Sequence, residues 1–357
     1  MNAAQLRIGR LASWAVTGIV LVVLPFLLSP YWTGRVTSWL PLVAAVVGLN
    51  LLTGYNGQIS VGHVALYGVG AYTTVILISD HQWPFLAAVA GSAAVCFVVG
   101  LLIGLPALRI KGLHLALVTL ALAVLFPSFM LRFSWISDGR VTSPRLVYGR
   151  LQQRPVQFLS PSWWSALAPE RWKYFFFLGV VAVAFVVTRN LIDSRIGRSM
   201  VAIRDTEVAA AVSGVEVARV KVLTFGVSAA LAGVGGSLLA LDAGQVSPTN
   251  FLLPISLSFL VMMVIGGAGS VAGPLVGVAV YNIANDRLDK VLEHHATWKP
   301  SIPLIFGASL VLLMVVAPGG LVGLTRRIGA RLAARNAGSS IPVPDAPSNV
   351  HNSQEDP

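Results

Sequence analysis

The sequence predicts an all-α polytopic membrane protein of about ten transmembrane helices. Three observations carry this. Only 11% of the 357 residues are charged and the mean hydropathy is +0.77, whereas a soluble surface is about 25–35% Lys, Arg, Glu and Asp. Apolar runs of roughly 18 residues or more, enough to cross ~30 Å of hydrocarbon, recur along nearly the whole chain. They lack the ~10-residue alternation of a membrane β-barrel.

The candidate spans are residues 12–29, 37–54, 60–79, 84–108, 113–131, 174–190, 222–241, 251–268, 271–285 and 301–318. Arg7 and Arg10 before the first run resemble the start of a signal peptide. However, Ser29-Pro30-Tyr31-Trp32 offers no small-x-small cleavage site, so the run reads as a retained first span. The eighth and ninth spans are separated only by Gly266-Gly267-Ala268-Gly269-Ser270. Two helices fit there, and so does one span plus a re-entrant segment whose backbone is buried in protein. The transmembrane unit then covers residues 1–335, with a long loop at 132–173 and a charged loop at 191–221. Residues 336–357, rich in Ser, Pro, Asp and Asn, cannot bury a core and are expected to be a disordered tail.

Charge sets the orientation. With a cytoplasmic N-terminus, ten spans return the C-terminus to the cytoplasm, and fourteen of the 25 basic residues lie inside. Seven of the other eleven fall in the 132–173 loop, which opposes the trend. Both terminal segments and the 191–221 loop agree with the inside assignment, and short segments weigh most. Eight of nine tryptophans, all but Trp14, then lie near the outer interface, where amphipathic rings collect. The net charge of +11 thus belongs to loops, and no nucleic-acid partner is expected.

Span interiors hold almost no ionisable groups, which speaks against an ion-coupled pump. Glycines recur at four-residue spacing, as in Gly100/Gly104 and Gly273/Gly277, a pattern that lets helices approach closely in lipid. The single Cys96 excludes an internal disulfide, and no metal site is expected. Uncharged polar residues concentrate between Asn50 and Thr73. Asn56, Gln58, Ser60, His63, Tyr67 and Tyr72 are the candidate lining of a pathway that passes a solute without holding it tightly. His114 is a second intramembrane histidine.

The stretch from Ser194 to Gly214 is a charged, helix-forming island between two spans. Such an island offers a handle to a soluble partner, or lies as a solvated helix near anionic lipid. Its candidate contact residues are Arg195, Arg198, Arg204, Asp205, Glu207, Ala210 and Gly214.

Five segments, in order, resemble the branched-chain amino acid ABC importer permeases of the LivM type. The first runs from Leu51-Leu52-Thr53-Gly54-Tyr55-Asn56-Gly57-Gln58 through His63 to Tyr72. The second is Leu108-Arg109-Ile110-Lys111-Gly112-Leu113-His114, continuing to Leu120. The third is Arg195 to Gly214, continuing into Ser228–Gly236. The fourth joins Val246-Ser247-Pro248 to Gly266–Pro274, and the fifth is Pro318-Gly319-Gly320-Leu321-Val322-Gly323-Leu324. Where the family carries a Thr-Gly-Gly run, this chain reads Ser137-Asp138-Gly139. Glu207 precedes Gly214 by seven residues, a loose form of the coupling motif.

The resemblance implies a type II importer-like permease fold and a non-enzymatic role. The expected protein is one inner-membrane subunit that moves branched-chain or related amino acids. Its partners would be a second permease subunit, two ATPase subunits and an extracytoplasmic solute-binding protein. It implies no cofactor in this chain: ATP and Mg would be held by the ATPase subunits, because no Gly-x-x-x-x-Gly-Lys-Ser/Thr loop occurs here. Urea, short amides and aromatic or hydrophobic acids remain alternative solutes. An ion-coupled carrier or channel is the alternative class.

Overall fold

The computed structural model describes residues 18–108, 113–132, 146–147, 150–151, 169–244, 246–294 and Gly323. Eleven helices occur among them. They are α1 Gly18–Leu27, α2 Pro30–Leu49, α3 His63–Ser79, α4 Phe85–Ala107, α5 Leu113–Arg132, α6 Pro169–Asp193, α7 Arg195–Asp205, α8 Glu207–Val212, α9 Val217–Ala243, α10 Leu253–Gly266 and α11 Gly273–His294. α2 continues into a π-turn at Asn50–Tyr55, and a 3-10 turn at Pro248–Phe251 precedes α10. The strands β1 Leu146–Val147 and β2 Arg150–Leu151 pair antiparallel in the long loop. The fold is all-α and polytopic, as the hydropathy requires. The expected span at 301–318, the Ser137-Asp138-Gly139 departure and the 336–357 tail lie outside the described residues.

Among the described residues, five helical stretches are long and apolar enough to cross a membrane: Pro30–Tyr55, Phe85–Pro106, His114–Arg132, Pro169–Asp193 and Val217–Ala243. α1, α3 and α10 are shorter apolar helices. The eighth and ninth expected spans are two separate helices, α10 and α11, joined by a glycine turn with Gly267 at φ 109° and Gly269 at φ 73°. α10 has 14 residues and so is ~21 Å long at ~1.5 Å per residue, too short to cross alone. The chain leading into it is irregular but buried, with Val246 and Phe251 fully enclosed. That is the condition under which non-helical backbone is tolerated at membrane depth.

α9 is the hub of the fold and packs against α4, α3 and α2. Small residues make this possible. A Cβ on Gly236 would fall on the Tyr67 carbonyl, and one on Gly70 would fall on Gly233. Gly100 meets Ala229 and Gly226, while Gly104 meets Phe225 and Val222. In the hairpin, Gly277 abuts the Met262 carbonyl of α10. With no hydrophobic drive between helices in lipid, such close contact supplies the dispersion that holds the bundle together.

Charged contacts separate to two ends of the bundle. At one end Arg35 on α2 makes a bidentate ion pair with Asp286 on α11, and Lys173 on α6 pairs with Asp242 on α9 at 2.7 Å. At the other end lie Arg189–Asp193, Lys221–Glu207 and Arg204. Lys221 and Asp242 both lie on α9, 21 positions apart, or ~32 Å along the helix, close to the ~30 Å hydrocarbon thickness. The sequence-based assignment of sides groups these residues in the same two sets.

Candidate functional site

Two regions hold the candidate residues. The first is the α7–α8 loop. Ser194 caps α7 by accepting from the Gly197 amide at 3.4 Å, and Gly197 is required where α7 folds back onto the Ile192 carbonyl. Met200 and Ile203 bury the inner face of α7, which packs on α6, α9 and the π-turn. Thr206, extended at φ −157°, breaks the chain between α7 and α8. α8 ends in a Schellman arrangement: the Val215 amide donates to the Ala210 carbonyl at 3.1 Å, with Gly214 at φ 82°.

The predicted contact residues divide across this loop. Arg195 and Arg198 are exposed. Arg204 donates to the Gly54 carbonyl at 3.0 Å and to Asp205, so it is anchored to its own chain. Glu207 pairs with Lys221 at 2.8 Å. Ala210 is buried at 3% exposure and faces inward. Gly214 is exposed with open space around it, so what requires glycine there is the left-handed turn. Sequence reading missed the outward face: Val208 and Val212, four apart on α8, are 74% and 85% exposed. Their spacing, one helical turn with alanines between, is the signal that could have revealed them.

The second region is the polar segment around α3. All six predicted pathway residues are buried: Asn56, Gln58, Ser60, His63, Tyr67 and Tyr72. Each carries at least one side-chain polar atom with no hydrogen-bond partner among the described residues. Native structures leave few such groups, because each costs about 1–3 kcal/mol of desolvation. Asn56, Gln58 and Ser60 lie on the connection from the π-turn to α3. His63 and Tyr67, four apart, share one face of α3.

The two tyrosines belong to an aromatic cluster. Tyr67 meets Phe259 and Phe251 with ring centroids 5.4 and 6.1 Å apart. Tyr72 meets Phe251 and Phe126 at 5.9 and 6.2 Å. Phe251, at the end of the 3-10 turn, therefore sits between α3 and α5. Sequence reading did not single it out, since an isolated Phe before an apolar helix carries no local signal. His114 is exposed at the start of α5 and does not join this set. No cluster of three or more potential metal ligands occurs among the described residues.

Comparison with known proteins identifies the family. The sequence model of the family described as branched-chain amino acid transport system / permease component matches residues 33–317. The chain is 26% identical over 321 residues to the high-affinity branched-chain amino acid transport system permease protein LivM of Salmonella typhimurium, covering 86% of this chain and 74% of that protein. It is 27% identical over 328 residues to LivM of Escherichia coli K12, with the same coverage. It is also 25% identical over 287 residues to the permease protein LivH of that strain, covering 78% of this chain and 89% of LivH. No solved structure matches significantly. The family match covers well over half of the chain and includes both candidate regions, so this protein belongs to the branched-chain amino acid transport system permease family.

Proposed function

We propose that this chain is the membrane-spanning subunit of an ABC importer that moves branched-chain or related amino acids across the inner membrane, driven by two separate ATPase subunits. The observation that carries the reading is the α7–α8 loop. Its inner face is locked to the bundle, while Val208 and Val212 project from it outside the apolar helices. Two exposed valines on one face suit a hydrophobic cleft on a soluble partner, and exposed Arg195 and Arg198 on the same loop offer charged contacts. This end of the bundle, and both termini, are then cytoplasmic.

The solute would arrive from an extracytoplasmic binding protein docked on the opposite face. It would pass the polar segment, where the unpartnered groups of Asn56, Gln58, Ser60, His63, Tyr67 and Tyr72 exchange bonds with solute or water. An uncharged lining transmits a zwitterion without trapping it, which leaves most selectivity to the binding protein. Relatives named LivM and LivH both match this chain, which supports pairing with a second, homologous permease subunit. The chain itself would perform no catalysis and need no cofactor.

The test is the double variant Val208→Asp, Val212→Asp, co-expressed with the ATPase subunits that co-purify with the unaltered chain. Both sites are exposed, so the chain should insert and accumulate normally. Burying two carboxylates in an apolar cleft should lower ATPase co-purification by at least tenfold. Undiminished co-purification and uptake would refute the docking role.

A further inference from the structure

A chain of hydrogen bonds joins the α7–α8 loop to the α10–α11 hairpin through the π-turn. Asn50 opens that turn and is 3% exposed. Its side-chain oxygen accepts from the Gly269 amide at 2.8 Å, and its amide donates to the Ser270 carbonyl at 2.9 Å. One buried side chain therefore holds two backbone groups of the hairpin turn. Gly54 lies against the same turn, since a Cβ there would fall on the Asn50 side chain and the Gly269 amide. The Gly54 carbonyl takes the Arg204 guanidinium at 3.0 Å. Gly57, at φ 73°, backs onto the Arg204 stem. A π-turn is uncommon and concentrates at functional positions in helices.

We propose that Asn50 is a positioning residue: it relays displacement of the α7–α8 loop, received through Arg204 at Gly54, to the α10–α11 hairpin. The far end of α10 begins beside Phe251, which packs on Tyr67 and Tyr72. Motion of the loop at one face thereby reaches the polar segment in the bundle interior. The three linked hydrogen bonds make the joint stiff, and the glycines on both sides remove the side chains that would block its movement. The relay rests on the reading of α7–α8 as an ATPase-docking surface only for the source of the displacement.

The first test uses the full chain alone in lipid nanodiscs, by hydrogen–deuterium exchange at residues 267–273. Arg204→Gln removes the bond to Gly54 and also the guanidinium that lies against Gly269 of the hairpin turn, so the double variant assigns the effect to Asn50. Exchange in that turn should rise about tenfold, the equilibrium effect of weakening one buried hydrogen bond. In an Asn50→Ala background, Arg204→Gln should add nothing, because the link is already broken. Unchanged exchange in Arg204→Gln, or an additive double variant, overturns the joint. Should Asn50→Ala fail to accumulate, Asn50→Ser, which also breaks both bonds to the hairpin turn, takes its place in the double variant.

The second test uses the assembled complex in proteoliposomes with radiolabelled leucine delivered by its binding protein. Asn50 is buried and cannot touch an ATPase. Asn50→Ala should nevertheless lower leucine moved per ATP hydrolysed by about tenfold while ATPase subunits stay bound. A native ratio overturns the relay. ATPase subunits that fail to bind the unaltered chain overturn the docking reading instead, an unaltered complex that moves no leucine overturns the proposed solute, and in both cases the exchange result still decides the joint.

Discussion

Gly236 provides the sharpest test of the packing. A methyl group there would be 2.8 Å from the Tyr67 carbonyl carbon and 2.9 Å from the Ala71 amide nitrogen, and closer still to the Tyr67 oxygen. These are backbone atoms of α3, so no rotamer change relieves the overlap. Restoring ordinary contact at ~3.5–4.0 Å with the Tyr67 oxygen requires α3 and α9 to part by roughly 2 Å. Overpacking of this kind costs about 1–3 kcal/mol, partly masked by the ~1 kcal/mol that alanine gains over glycine in a helix. Gly179 on α6 supplies the control, because nothing lies within 4 Å of its Cβ position. The difference between Gly236→Ala and Gly179→Ala therefore isolates the overlap. SDS-titrated unfolding in mixed micelles should place Gly236→Ala about 1–3 kcal/mol below Gly179→Ala. Values within about 0.5 kcal/mol of one another would refute the close approach of α3 and α9.

Two further outcomes follow from the site and the topology. Tyr67→Phe removes a buried hydroxyl that has no partner among the described residues, so stability should hold or rise by up to about 1 kcal/mol while uptake falls; unchanged uptake would exclude Tyr67 from the pathway. With Cys96 replaced by Ser, a cysteine at exposed His81→Cys should react with an impermeant thiol reagent in intact cells, whereas Ser213→Cys should react only after permeabilisation. The reverse pattern would invert the topology.

Hydropathy and spacing alone determined that the chain crosses a membrane repeatedly as helices. The described helices overlie nine of the ten expected spans. This was legible because in lipid every backbone group must bond within its own segment, so a run of apolar residues has one viable structure. The polar segment was legible too, since uncharged polar residues are conspicuous against apolar neighbours. Which way a side chain faces was not. Ala210 turns inward and Val208 and Val212 outward because Glu207 pairs with Lys221 and Thr206 resets the helix axis, and both depend on partners distant in sequence or on a local break in the helix.

The same holds for Arg204, which looked like a free charge but binds a carbonyl 150 positions away, and for Asn50, which holds a turn some 220 positions away. The division of residues 251–285 into a short helix and its hairpin partner also needed the fold, because a buried irregular backbone and a continuous span have the same composition. Sequence fixes what each segment can satisfy by itself. Tertiary structure decides where the remaining polar groups, glycine faces and aromatic rings find their partners, since those contacts are made between helices that hydropathy treats one at a time.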